Sequence, residues 1–102
     1  MKAFGRFKGM PHEGCNENFD DYRKFKNVIS KEKVIAYLES NKVDKWYSSM
    51  PSYDIFTGKP IECGLLEDAE YIIPMEFLHY YKNYDIGIPY EYEEYLKGII
   101  DY

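Results

Sequence analysis

Four stretches of the chain repeat apolar side chains at helical spacing, and the stretches between them do not. In "SKEKVIAYLESN" Val34, Ile35, Tyr37 and Leu38 make one stripe opposite Glu32 and Lys33, with Ser30 as N-cap and Asn41 suited to a left-handed C-terminal stop. "PMEFLHYYKNY" brings Phe77, Tyr80, Tyr81 and Tyr84 to one face at i, i+3, i+4 and i+7; Pro74 suits the first turn and Gly87 ends the pattern. Pro89 then restarts a helix in "IPYEYEEYLKGIIDY", where Glu91, Glu93 and Glu94 lie near the positive end of the dipole. There Tyr92, Tyr95, Leu96 and Ile99 fall in an arc of roughly 100°, the width of a core-facing stripe. Tyr90 falls on the opposite side with Glu94 and Lys97, and Glu93 is spaced to pair with Lys97. Burying Tyr92 and Tyr95 requires their hydroxyls to find partners. The fourth stretch, "NFDDYRKFKNVI", spaces Phe19, Tyr22, Phe25 or Lys26 and Ile29 helically behind Asn18 as N-cap, and predicts a short helix.

Between residues 43 and 73 the pattern is extended instead. "VDKWYSSM" and "YDIF" carry β-branched and aromatic residues, "TGKP" supplies a turn, "IECGLLED" continues extended, and a second turn at "EDAE" precedes "YIIP". A three- or four-stranded antiparallel meander is expected there. Residues 1–16, with Gly5, Gly9, Pro11 and Gly14, hold no sustained period and predict an irregular arm, with a short strand at Lys2–Lys8. No repeat or linker divides the chain, so residues 1–102 are expected to form a single α+β domain: a helical front half, a small antiparallel sheet, and the two C-terminal helices packed on one of its faces.

Composition changes this picture in two respects. Aromatics reach 19% with twelve tyrosines, so amphipathic rings supply much of the apolar area and disorder is disfavoured. The net charge of −5 is also unevenly spread: residues 1–60 hold 11 Lys/Arg against 8 Asp/Glu, net +3, and residues 61–102 hold 2 against 10, net −8. Such a C-terminal half lacks the basic footprint that phosphates require, which argues against direct nucleic-acid binding and suits a basic protein partner. No apolar run approaches the ~20 residues of a membrane span and no h-region opens the chain, so a cytoplasmic protein is expected.

The sequence holds no recognisable catalytic set. Cys15 and Cys63 lack metal or redox spacing and are expected to be reduced thiols, and neither is spaced to favour pairing with His12 or His79 as nucleophile and base. "HEGC", with His12, Glu13 and Cys15, lacks the second ligand pair of a structural zinc site, and "FTGKP" lacks the rest of a phosphate loop. The C-terminal acids supply many accidental carboxylate pairs, and a charge run is commonly only a solvated face. A non-enzymatic protein without a cofactor is therefore expected.

What remains is acid combined with aromatic groups, for which Trp46, Tyr47, Tyr53 and Tyr90 are the candidate exposed rings. Residues 53–96 contain a D-x-x-T-G-like hairpin at Asp54, Thr57 and Gly58, an acidic turn at Glu67-Asp68, and a closing segment of Tyr84, Ile86, Ile88, Pro89, Glu91 and Tyr92. This run resembles the C-terminal half of small bacterial proteins of the kind found as immunity proteins beside toxin genes, although glycine or asparagine would be usual where this chain has Ala69. The resemblance bears more on fold than on function. The C-terminal net of −8 and the empty catalytic inventory lead to the expectation of an inhibitor that blocks the active site of a basic toxin domain, a nuclease being the natural case because nucleases hold phosphates. The residues expected to meet that partner are Glu67, Asp68, Glu70, Tyr90, Glu91 and Glu94, with Trp46 and Tyr47 as aromatic anchors. Alternatives are an acidic phage-type nucleic-acid mimic that blocks a host defence nuclease, a small ligand-binding domain with a tyrosine-rich pocket, and a homodimer formed through exposed tyrosines.

Overall fold

The computed structural model describes residues 1–102. In chain order the elements are β1 (Lys2–Ala3), α1 (Phe19–Tyr22), α2 (Lys31–Glu39), β2 (Asp44–Tyr47), β3 (Ser52–Tyr53), β4 (Pro60–Ile61), β5 (Gly64–Asp68), β6 (Tyr71–Pro74), α3 (Met75–Asn83) and α4 (Tyr90–Lys97). The main sheet runs β1-β6-β5-β2, antiparallel except that β1 joins β6 in parallel. The architecture is therefore α+β. A Cα radius of gyration of 12.9 Å matches the ~13 Å to which one domain of this length packs, so no part stands off as a second unit.

The expected meander is real for β2, β5 and β6, but β3 and β4 pair only with each other, around the turn at Gly58. The cause is register: β5 lies directly against β2, from Asp44 opposite Glu67 to Tyr47 opposite Gly64, which leaves the intervening chain as an excursion. Gly64 is required at that junction, because a Cβ there would sit 2.2 Å from the Trp46 carbonyl oxygen. The strand expected at Lys2–Lys8 is only Lys2–Ala3, and the arm around it belongs to the core. Phe4, Phe7 and Met10 are buried in it, and Gly5 takes φ 77° where a side chain would strike the Phe77 ring.

The helix expected from Asn18 to Ile29 is a correction. Asn18 does cap it, accepting from the Asp20 N–H, but the helix ends after one turn at Tyr22. Side chains of α4 capture the backbone amides that would have continued it: Lys26 N–H donates to the Tyr90 hydroxyl, and Val28 and Ile29 N–H donate to the Glu93 carboxylate. A buried amide needs one partner, and here the partner is tertiary. Glu93 is consequently buried and makes no ion pair with Lys97, which pairs with Glu94 at 2.9 Å. Ser30 caps α2 as expected, but α2 ends in an extended Ser40 and Asn41 is not left-handed. The stripes of α3 and α4 hold, with Phe77, Tyr80, Tyr81, Tyr92 and Leu96 fully buried; Ile99 lies beyond the last turn and is exposed.

Ala69 is the one non-glycine residue at positive φ, 51°, in the β5–β6 turn where glycine or asparagine would be usual. A Cβ in that region is strained. Ala69→Gly is expected to stabilise the protein by about 0.5–1 kcal/mol, part of the relieved strain being offset by the freer unfolded chain; chemical denaturation of the two proteins checks it.

Candidate interaction surface

Side chains alternate along β5, so Gly64, Leu66 and Asp68 face inward while Leu65 and Glu67 face out. Register extends that outer row across the sheet: Trp46 lies opposite Leu65, and Asp44 lies opposite Glu67, which lies opposite Ile72. Helices α3 and α4 pack on the inner side, α3 directly on β5 and β6, and α4 through its tyrosines. The outer row is left open at the edge strand β2, where Trp46 is 61% exposed. Two carboxylates directly opposite one another destabilise a strand pair unless a cation lies between them. Neither Asp44 nor Glu67 forms an ion pair within the chain.

The remaining expected contact residues divide. Asp68 is a correction: it is 3% exposed, and its carboxylate accepts hydrogen bonds from the hydroxyls of Tyr37 (2.8 Å), Tyr92 (2.8 Å) and Tyr95 (3.4 Å). This answers the demand that buried Tyr92 and Tyr95 impose. Burial first, and the hydrogen bond to Asp68 second, push the Tyr37 and Tyr92 phenols upward, so both stay protonated donors. Tyr90 is half exposed, yet its hydroxyl accepts the Lys26 N–H and its ring edges onto Phe25, so it clamps the chain after α1. Glu70 and Glu91 remain at the surface but share Lys2 between them, and Glu94 is paired with Lys97. Tyr47 is exposed on the other side of β2 from Trp46. Trp46 and Glu67 are thus brought together, joined by Asp44.

Tyr22, Tyr71 and Tyr92 border the largest groove, of about 570 Å³, but the Tyr22 hydroxyl is engaged by Gly5 N–H and Glu17 and that of Tyr92 by Asp68.

A second cleft, of about 500 Å³, opens beneath Trp46, Tyr47 and Met50, with His12 and Cys63 in its wall. Behind them lies Glu76, fully buried in the first turn of α3. His12 Nε2 is 2.7 Å from Glu76 Oε2, which also accepts from Ser52 Oγ at 2.9 Å, and Cys63 Sγ is 3.9 Å from the same His12 nitrogen. In a nucleophile–base–acid arrangement the acid holds the other imidazole nitrogen, so this is not one. Burial, and after it the Glu76 charge, raise the Cys63 thiol further from the reactive thiolate. Glu76 was not expected inside; its one sequence signal is the i, i+4 spacing to Tyr80, which places it on the buried stripe.

A third group is structural. Asp54 Oδ2 binds His79 Nε2 (2.7 Å) and the Tyr84 hydroxyl (2.8 Å), while Oδ1 accepts the Phe56 and Thr57 N–H groups of the hairpin turn. Burial pushes this carboxyl up, but His79 and those donors outweigh it and hold it at about 2. Glu93 is likewise raised by burial and brought below the usual range by the Ile29 N–H, Asn27 and the Val28 N–H. Both folded values lie below the unfolded ones, so their stabilisation is present above about pH 4.5 and drains as pH falls toward 2. Asp54 alone is expected to contribute about 2 kcal/mol of that acid-side loss. Urea midpoints measured across this range check it, and Asp54→Asn should flatten the acid limb.

No helix is long and apolar enough to cross a membrane. Comparison of the chain with protein-family models, with curated proteins and with solved structures gives no match.

Proposed function

We propose that this protein is a non-enzymatic inhibitor that binds a basic protein through the open sheet face and neutralises it by covering its active site, in the manner of an immunity protein acting on a toxin domain in the cytoplasm. The observation that carries the proposal is the unpaired, opposed carboxylates of Asp44 and Glu67 beside the exposed Trp46. An arginine or lysine from a partner placed between those carboxylates removes their repulsion, and the Trp46 ring offers it a cation–π face. Trp is enriched among interface anchors, and flanking charge sets the rate and choice of partner. A nuclease fits because its phosphate-binding surface is basic. A second copy does not fit this face, since two-fold pairing would bring Asp44 and Glu67 against their own copies or one another.

Affinity capture from lysate of the source cells, with neighbouring gene products co-expressed, tests the reading. One basic protein retained in stoichiometric amount and released by rising salt is the expected result. Retention of nothing specific, or of a partner indifferent to salt, would contradict it.

A further inference from the structure

We propose that His12, Cys63 and Glu76 form a binding site for one zinc-class divalent cation. Their donor atoms, an imidazole nitrogen, a thiol sulfur and a carboxylate oxygen, all lie within 4.8 Å of one another. They come from three separate segments: the arm, the residue before β5, and the first turn of α3. Tetrahedral zinc with bonds of ~2.0–2.3 Å sets its donors roughly 3.3–3.8 Å apart. The 2.7 Å between His12 and Glu76 must therefore open slightly, and the 3.9 Å between His12 and Cys63 close slightly.

The independent sign of a missing ligand is Glu76 Oε1, which is buried without any hydrogen-bond partner. A fully buried carboxylate oxygen without a partner is costly, and a cation satisfies it. Ser52 Oγ holds the other oxygen and so fixes the carboxylate's orientation. The charges also balance, because a thiolate and a carboxylate together neutralise a divalent ion within a buried setting. Mixed nitrogen, sulfur and oxygen donors select zinc and its neighbours over magnesium or calcium, which take oxygen alone. Three protein donors leave one position for water, and His12 and Cys63 border the cleft from which water would enter. Binding must release the Cys63 proton, so affinity rises with pH. The site opens into the cleft beneath Trp46 but takes none of its donors from Trp46, Asp44 or Glu67.

Cobalt(II) titration of the full-length protein, stripped of metal by chelation, tests this. One equivalent is expected to bind with a near-ultraviolet thiolate-to-cobalt charge-transfer band, to be displaced by zinc, and to raise the melting temperature. Cys63→Ser is expected to lose the band and at least ~10-fold in affinity, while Cys15→Ser keeps both. Absence of the band in the unmodified protein overturns the proposal without reliance on any variant. So does its survival in Cys63→Ser.

Discussion

Asp68→Ala is expected to lower the free energy of unfolding by about 3–5 kcal/mol, roughly a fifth or more of what holds a domain of this size together. The carboxylate is the common acceptor for Tyr37, Tyr92 and Tyr95, which tie α2 and α4 to the end of β5. Truncation leaves the Tyr37 and Tyr92 hydroxyls orphaned where water cannot reach, and each such group costs about 1–3 kcal/mol. Asp68→Asn preserves the shape and one acceptor oxygen, and is expected to lose roughly 1–2 kcal/mol. A double-mutant cycle separates this account from simple cavity formation. Tyr92→Phe should destabilise the parent protein but stabilise the Asp68→Ala variant, because there it removes an orphaned hydroxyl. Equal effects in both backgrounds would show that the phenol–carboxylate bond carries little. Chemical denaturation gives all four values.

Trp46→Ala is expected to have the opposite profile, leaving the unfolding free energy within about 0.5 kcal/mol of the parent and weakening the partner complex by at least ~2 kcal/mol, roughly 30-fold in Kd. The ring is mostly solvent-exposed in the free chain, so its removal leaves little cavity, whereas an interface anchor buries its whole area on binding. Glu67→Lys should weaken the same complex chiefly through slower association, an effect that fades at high salt. It should also stabilise the free protein slightly, since it replaces the opposed carboxylates of Asp44 and Glu67 with an ion pair. Titration calorimetry and association kinetics on the purified complex measure both.

The parts of the fold written in short-range pattern could be read from the sequence: the stripes of α2, α3 and α4, the Asn18 and Ser30 caps, and the turn at Gly58. The shortening of α1 could not, because its amides are taken by Tyr90 and Glu93, residues more than sixty positions away. The arm's place in the core was hidden likewise, since Phe4, Phe7 and Met10 follow no period while packing into one cluster with α3 and α4. For the site, Trp46 and Glu67 were visible as exposed aromatic and acid, but their neighbour Asp44 emerged only with the strand register. Asp68 looked like a surface turn acid, although its i, i+2 relation to Leu66 places both on the inner face of β5. The charge asymmetry between the halves was real in composition yet partly cancelled by folding, where Lys2 meets Glu70 and Glu91. Glu76, deep behind His12, turned the "HEGC" stretch from an incomplete motif into one arm of a constellation with Cys63.

Amide hydrogen exchange of the protein, free and in complex with its captured partner, tests the central claim most directly. The account predicts that slowed exchange on binding concentrates in β2 from Asp44 to Tyr47 and in the adjoining outer edge of the sheet, where unpaired edge amides lie beside Trp46. Protection confined to α4, or to the opposite side of the molecule, with β2 exchanging as in the free protein, would contradict it.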